Sequence, residues 1–158
     1  MANTQSMTTS FLGQLLTGTH NFGVAPTRAT TAADTFKAAL YLTSATVNAA
    51  TTAYSATGEV SGAGYTAGGV TVTNATVPAA TNASATAGTA YWTPSASISY
   101  TSVTLSTAFD AVLIYNSTQG DKAVSVHTFG SQTITAGTFT LTMPTNNTTT
   151  ALLRLSTT

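Results

Sequence analysis

From Phe36 onward the apolar residues of this chain recur at every second position, and that period constrains the fold more than any other feature. Successive side chains of a β-strand point to opposite faces, so a period of two marks a strand with one buried face. FKAALYL (36–42) puts Phe36, Ala38, Leu40 and Leu42 on one side, and VTVTNATV (70–77) alternates Val with Thr. GTAYWTP (88–94), ISYTSVTL (98–105) and FDAVLIYN (109–116) follow; the last is the most apolar run and is expected as a central strand. STQGD (117–121) then turns the chain into KAVSVHTFG (122–130), a hairpin signal. In that segment the inward set is either Val124, Val126 and Thr128 or Ala123, Ser125, His127 and Phe129. GTFTLTMP (137–144) turns Phe139, Leu141 and Met143 inward against Thr138, Thr140 and Thr142, and ALLRLS (151–156) closes the series.

Short strands separated by Gly, Asn and Ser turns predict an all-β fold, an antiparallel β-sandwich of jelly-roll or immunoglobulin-like kind. No helical pattern of about 10–15 residues intervenes to carry parallel crossovers. Composition agrees, with 38 Thr among 158 residues. β-Branched side chains suit a pleated surface, so the Thr excess is first a matter of strand propensity. The Thr-x-Thr pairs at 71/73, 133/135 and 138/140/142 have spacings too irregular for an ice-binding repeat.

The first 35 residues do not share this period. Phe11, Leu12, Leu15 and Leu16 form one short helical face, with Ser10 as its expected N-cap. HNFGVAPTRATTAAD (20–34) reads as an irregular arm broken by Gly23 and Pro26, either docked on a neighbour or free. The expected organisation is an arm with a helical turn over 1–35 and a β-sandwich domain over 36–158.

Charge is nearly absent. Lys and Arg total 4, Asp and Glu total 4, and the net charge is zero. Arg28, Lys37, Lys122 and Arg154 are scattered singly, whereas phosphate neutralisation needs clustered cations, so nucleic acid is not an expected partner. No apolar run approaches the roughly 18 residues of a membrane span, and neither a membrane partner nor a secretion signal is expected. The absence of Cys removes disulfides, thiolate metal sites and Cys nucleophiles. A net charge near zero favours association.

The motifs that carry chemistry are incomplete. GEVSGAGYTAGG (58–69) holds five of the twelve glycines but misses the dinucleotide spacing, and no Gly-Lys pair supports a P-loop. It reads as a tight loop feeding the Val70 strand. His20 and His127 lack zinc-site spacing, and His127 is expected to be half-buried and hydrogen-bonded. No Gly-x-Ser-x-Gly elbow accompanies Asp34, Asp110 or Asp121, and nothing pairs those carboxylates with one another or with Glu59. No catalytic, cofactor-binding or metal-binding residue is assigned, and the chain is not expected to be an enzyme. Five Asn-x-Ser/Thr sequons, at Asn74, Asn82, Asn116, Asn146 and Asn147, are a mild excess in so Ser/Thr-rich a chain.

Three segments, 36–69, 111–132 and 136–156, together resemble a widespread family of small virion proteins from tailed bacteriophages. That family has a K-x-ALY-x-SSAT strand leading to an E-V-SG-x-GYTAGG loop. An A-x-IYN…K-A-V…DFG hairpin, a G-x-FTL strand and an I-x-R-I ending follow, and SFLGQLLTG fits its short leading helix. This chain departs in having Thr128 where the family has Asp, a longer arm over 21–35 and an Ala/Thr-rich insertion over 78–89. The resemblance implies a non-enzymatic virion component.

Together with the compact β-domain and the missing charge, it leads to an expected function. The chain would be a capsid cement (decoration) protein on the outer surface of the virion head. Its partners would be the major capsid protein and neighbouring copies of itself, with Phe11, Leu12, Leu15 and Leu16 as contacts. The alternative is a tail- or fibre-associated module binding host surface glycans through Tyr65, Tyr91 and Trp92, aromatics that equally suit a core.

Overall fold

The computed structural model describes residues 3–16, 18–22, 33–74, 76–81 and 88–156, with the backbone alone for Leu12, Gly13 and Leu16. Strands run β1 (Ser6–Met7), β2 (Phe36–Leu42), β3 (Val70–Val72), β4 (Ala79–Thr81), β5 (Thr89–Trp92), β6 (Ile98–Asn116), β7 (Lys122–Leu141) and β8 (Leu153–Ser156). Helix α1 (Thr9–Leu16) lies between β1 and β2. The strands form two antiparallel sheets, β1-β7-β6-β2-β3 and β4-β5-β8, so the fold is the all-β sandwich that the period of two predicts. The main core contains Phe36, Leu40, Ile98, Val112 and Ile114 of the larger sheet with Trp92 and Leu153 of the smaller one.

The two central strands are longer than the sequence pattern indicates. The segments at 98–105 and 109–116 are one strand of 19 residues, and those at 122–130 and 137–144 merge into one of 20 that ends at Leu141. The polar stretches that read as turns are bulges instead. Register shifts break the β6–β7 ladder repeatedly between Tyr100 and Ala111, and Ser102 and Ala136 take positive φ of 54° and 46°. A bulge bends a strand and raises its twist without ending it.

One bulge decides the inward set of β7. Ser125 pairs with Ile114 and Ala123 with Tyr115, so Val124 is the extra residue. Val124 joins the main core while Ala123 and Val126 face a second cluster on the opposite side. Neither strictly alternating set is therefore realised. The second cluster also takes Ala39 and Tyr41 from β2, with Leu113 and Tyr115 from β6. Ala45, Val47 and Tyr54, from the loop after β2, cover it. Central strands buried on both faces lose the simple alternation.

Residues 3–16 and 18–22 belong to the packed body. Thr4 N–H donates to Val47 O, Thr8 N–H to Val124 O and Thr9 N–H to Ala49 O. The residue before the helix is Thr8 rather than the expected cap Ser10, and its hydroxyl bonds the β7 carbonyl of Ala123 at 3.0 Å. The section of the expected arm at 23–32, and 82–87 of the expected insertion, lie outside the described residues.

Candidate functional site

An apolar groove runs between α1 and the smaller sheet. On α1, Phe11 and Leu15 are one helical turn apart and share a face. On β8, Leu153 and Leu155 alternate with Arg154, and they pair with Trp92 and Ala90 of β5. The groove has a volume of about 110 Å³, and Met7 and Tyr91 also line it. Its floor is aromatic: Phe22 stacks on Phe36 at 4.3 Å and tilts against Trp92 at 4.7 Å, and Phe11 meets Phe22 edge-on at 5.9 Å. The Trp92 indole N–H donates to Thr76 O at 2.9 Å, which fixes the ring. At the rim Leu155 is 42% exposed, and Val77, beside the groove residue Pro78, is 54% exposed. Among the described residues these are the large apolar side chains most open to water.

Two buried carboxylates anchor the loops around this body. Glu59 Oε1 accepts the Tyr65 hydroxyl at 2.7 Å and the Gly68 N–H at 2.8 Å, and Oε2 accepts the Tyr54 hydroxyl at 2.6 Å. Tyr115 donates to Gly68 O at 2.7 Å, Tyr100 to Ala38 O at 2.8 Å and Tyr41 to Ser55 O at 2.6 Å. Burial, with Glu59 close by, pushes the Tyr65 and Tyr100 hydroxyls far above the ordinary tyrosine value. These phenols act as neutral donors. The glycine-rich loop is thereby pinned to the sheet, and it lies so close that a Cβ on Gly69 would stand 1.7 Å from Ala38 O.

The second carboxylate, Asp34, ties Asn21 to the end of β6. Its Oδ2 accepts Asn21 N–H at 2.9 Å and Asn116 Nδ2 at 2.7 Å, and its Oδ1 accepts Gln119 Nε2 at 3.1 Å. Asn116 Nδ2 also donates to His20 Nδ1 at 3.0 Å, so the His20 proton sits on Nε2 and goes to Gln14 Oε1 at 2.7 Å. Burial pushes His20 down to about 4, with the Asp34 charge opposing the shift.

The helical face splits by depth. Phe11 is 2% exposed and packs into the chain's own core, whereas Leu15 packs at the core's edge and lines the groove. The side chains of Leu12 and Leu16 lie outside the described ones. Leu155 was missed in the sequence, where its signal was the Leu-Arg-Leu alternation near the end of the last strand. Tyr65, Tyr91 and Trp92 do not assemble into a stacking platform. Tyr65 is half-buried, stacks on Tyr100 and bonds Glu59, Trp92 is buried in the groove floor, and half-buried Tyr91 lines the groove.

The parts of a hydrolytic triad are likewise dispersed. Ser125 Oγ lies 2.9 Å from His127 Nε2, but Ser125 is 1% exposed. Asp34 belongs to the His20 cluster instead. His127 is half-buried and hydrogen-bonded, as its strand position predicts. Among the described residues no group of three or more His, Asp and Glu side chains stands close enough to hold a metal ion. The sequon residue Asn116 is fully buried. Comparison with protein-family models, curated proteins and solved structures finds no match for this chain.

Proposed function

We propose that this chain is a non-enzymatic structural protein of a tailed-phage particle, a capsid cement protein seated on the outer head surface. The observation that carries the reading is the apolar groove beside α1, open at Leu155 and set in a body with eight formal charges. Its partner is the major capsid protein, which would place an apolar segment in the groove at a seam between subunits. Each square ångström of apolar surface removed from water contributes roughly 25 cal/mol. One small groove therefore gives a modest contact, and repetition over the shell lattice multiplies it into avidity. A seam contact of this kind buries no unpaired ion, which would be costly.

The test is co-sedimentation with expanded heads stripped of their outer proteins. The wild-type chain is expected to saturate the heads at a copy number set by the lattice. Leu155→Asp is expected to weaken binding at least about tenfold, since a carboxylate would be desolvated in an apolar groove. Its own fold should hold, because Leu155 is already 42% exposed. Trp92, the sole tryptophan, forms the groove floor, so its emission should shift on binding to heads. Failure of the wild-type chain to bind heads, or glycan binding in its place, would overturn the reading.

A further inference from the structure

We propose that the open edge of β7 over residues 137–141 pairs antiparallel with the same stretch of a second copy of this chain about a two-fold axis. β7 lies next to last in its sheet, and β1 covers only Ser125 and Val126 of it. From His127 to Leu141 one side of β7 pairs with β6, and among the described residues no strand pairs with the other side. The irregular ladder bends the strand as far as Ala136. Beyond it one more shift, between Val103↔Gly137 and Tyr100↔Phe139, puts its extra residue on β6 at the positive-φ Ser102, and β7 itself runs without an extra residue through Phe139, Thr140 and Leu141. The straight part of the free edge is therefore 137–141, and Pro144 ends it.

Free edges are normally guarded by Lys, Pro or an inward charge, because unpaired backbone groups template the pairing of another chain. Residues 123–153 contain no Asp, Glu, Lys or Arg at all. This absence favours a second copy of the chain as the occupant. A two-fold axis sets a strand against itself, so any charge on it would meet its like at close range. An uncharged Thr strand is compatible with its own copy and offers nothing to a charged foreign strand.

Centred on Phe139, the pairing sets Thr138 against Thr140 of the other copy. The intrachain contact of Ser99 Oγ with Thr140 Oγ1 at 3.0 Å already shows such a hydroxyl pair on this face. On the inner face, half-buried Phe139 and Leu141 would gain their counterparts as apolar cover.

Sedimentation velocity over a wide concentration range tests this. The wild-type chain is expected to reach the mass of two copies. T138K/T140K sets four ammonium groups across the axis and is expected to weaken the dimer by roughly tenfold or more. T138E/T140E should do the same, and mixing the two variants should restore a two-chain species. Both positions are exposed, so thermal unfolding of either variant should match wild type. A wild type that stays monomeric, a variant that stays dimeric, or a mixture that stays monomeric would each overturn the proposal. It stands apart from the groove: Leu155→Asp should leave the dimer intact whatever it does to head binding.

Discussion

His20 shows how a single side chain carries the entry of the chain into its first sheet. Its ring is 9% exposed, stands 5.0 Å from Phe11, and accepts and donates one bond each as the neutral form. A proton on Nδ1 would turn that acceptor against the Asn116 amide. The folded state thus binds the proton more weakly than the unfolded chain, with burial holding His20 at about 4 against an ordinary 6.5. The sign follows: its contribution is complete above pH 6.5 and is lost as pH falls toward 4. The depression corresponds to an order of ~3 kcal/mol. Burial holds His127 at about 4 as well, so it adds to the same acid limb. In urea titrations His20→Gln should be less stable than wild type at neutral pH, with the difference closing as pH approaches 4. A gap of equal size across that whole range would refute the assignment.

Elements here are held by backbone closeness more than by length. The strand β3 has three residues and pairs with β2 through Phe36, Lys37 and Ala38. What seats it is the preceding loop, where Gly69 takes φ +69° directly over Ala38 O. Glycine alone tolerates both the left-handed backbone and the missing Cβ volume. Gly69→Ala should therefore destabilise the fold by more than about 2 kcal/mol, and exchange of the β2 and β3 amides should rise first. The outer limits of β2 and the turn at 117–121 were legible in the sequence, because apolar runs and turn residues are local signals. The continuity of β6 and β7 through their bulges was not. Ser102 and Ala136 adopt positive φ only because the neighbouring strand stays paired on either side.

At the scale of the whole molecule, burial and hydrogen bonding do the work that ion pairs share in other proteins. Asp34 and Glu59 are each satisfied by neutral donors, and Asp110 accepts Asn3 Nδ2 at 2.6 Å. Screening by salt acts on exposed charge pairs, and this chain has few charges to screen. The thermal midpoint should consequently move by less than about 2 °C between dilute buffer and moderate sodium chloride. A larger drop would reveal an electrostatic contribution that the described contacts lack. The same neutrality suits the two surfaces proposed for association, the groove at Leu155 and the edge at 137–141.

The sequence by itself determined the all-β class, the short helix, the central hairpin and the lack of charge, since period, turn residues and composition act locally. Tertiary structure alone decided which faces stay open. Leu15 and Leu155 meet across one groove although most of the chain separates them. Phe11 turns inward because Phe22 and His20 close over it. The loop after β2 buries the face that strict alternation would leave wet. A period of two says that a strand has two sides, and only packing determines what each side meets.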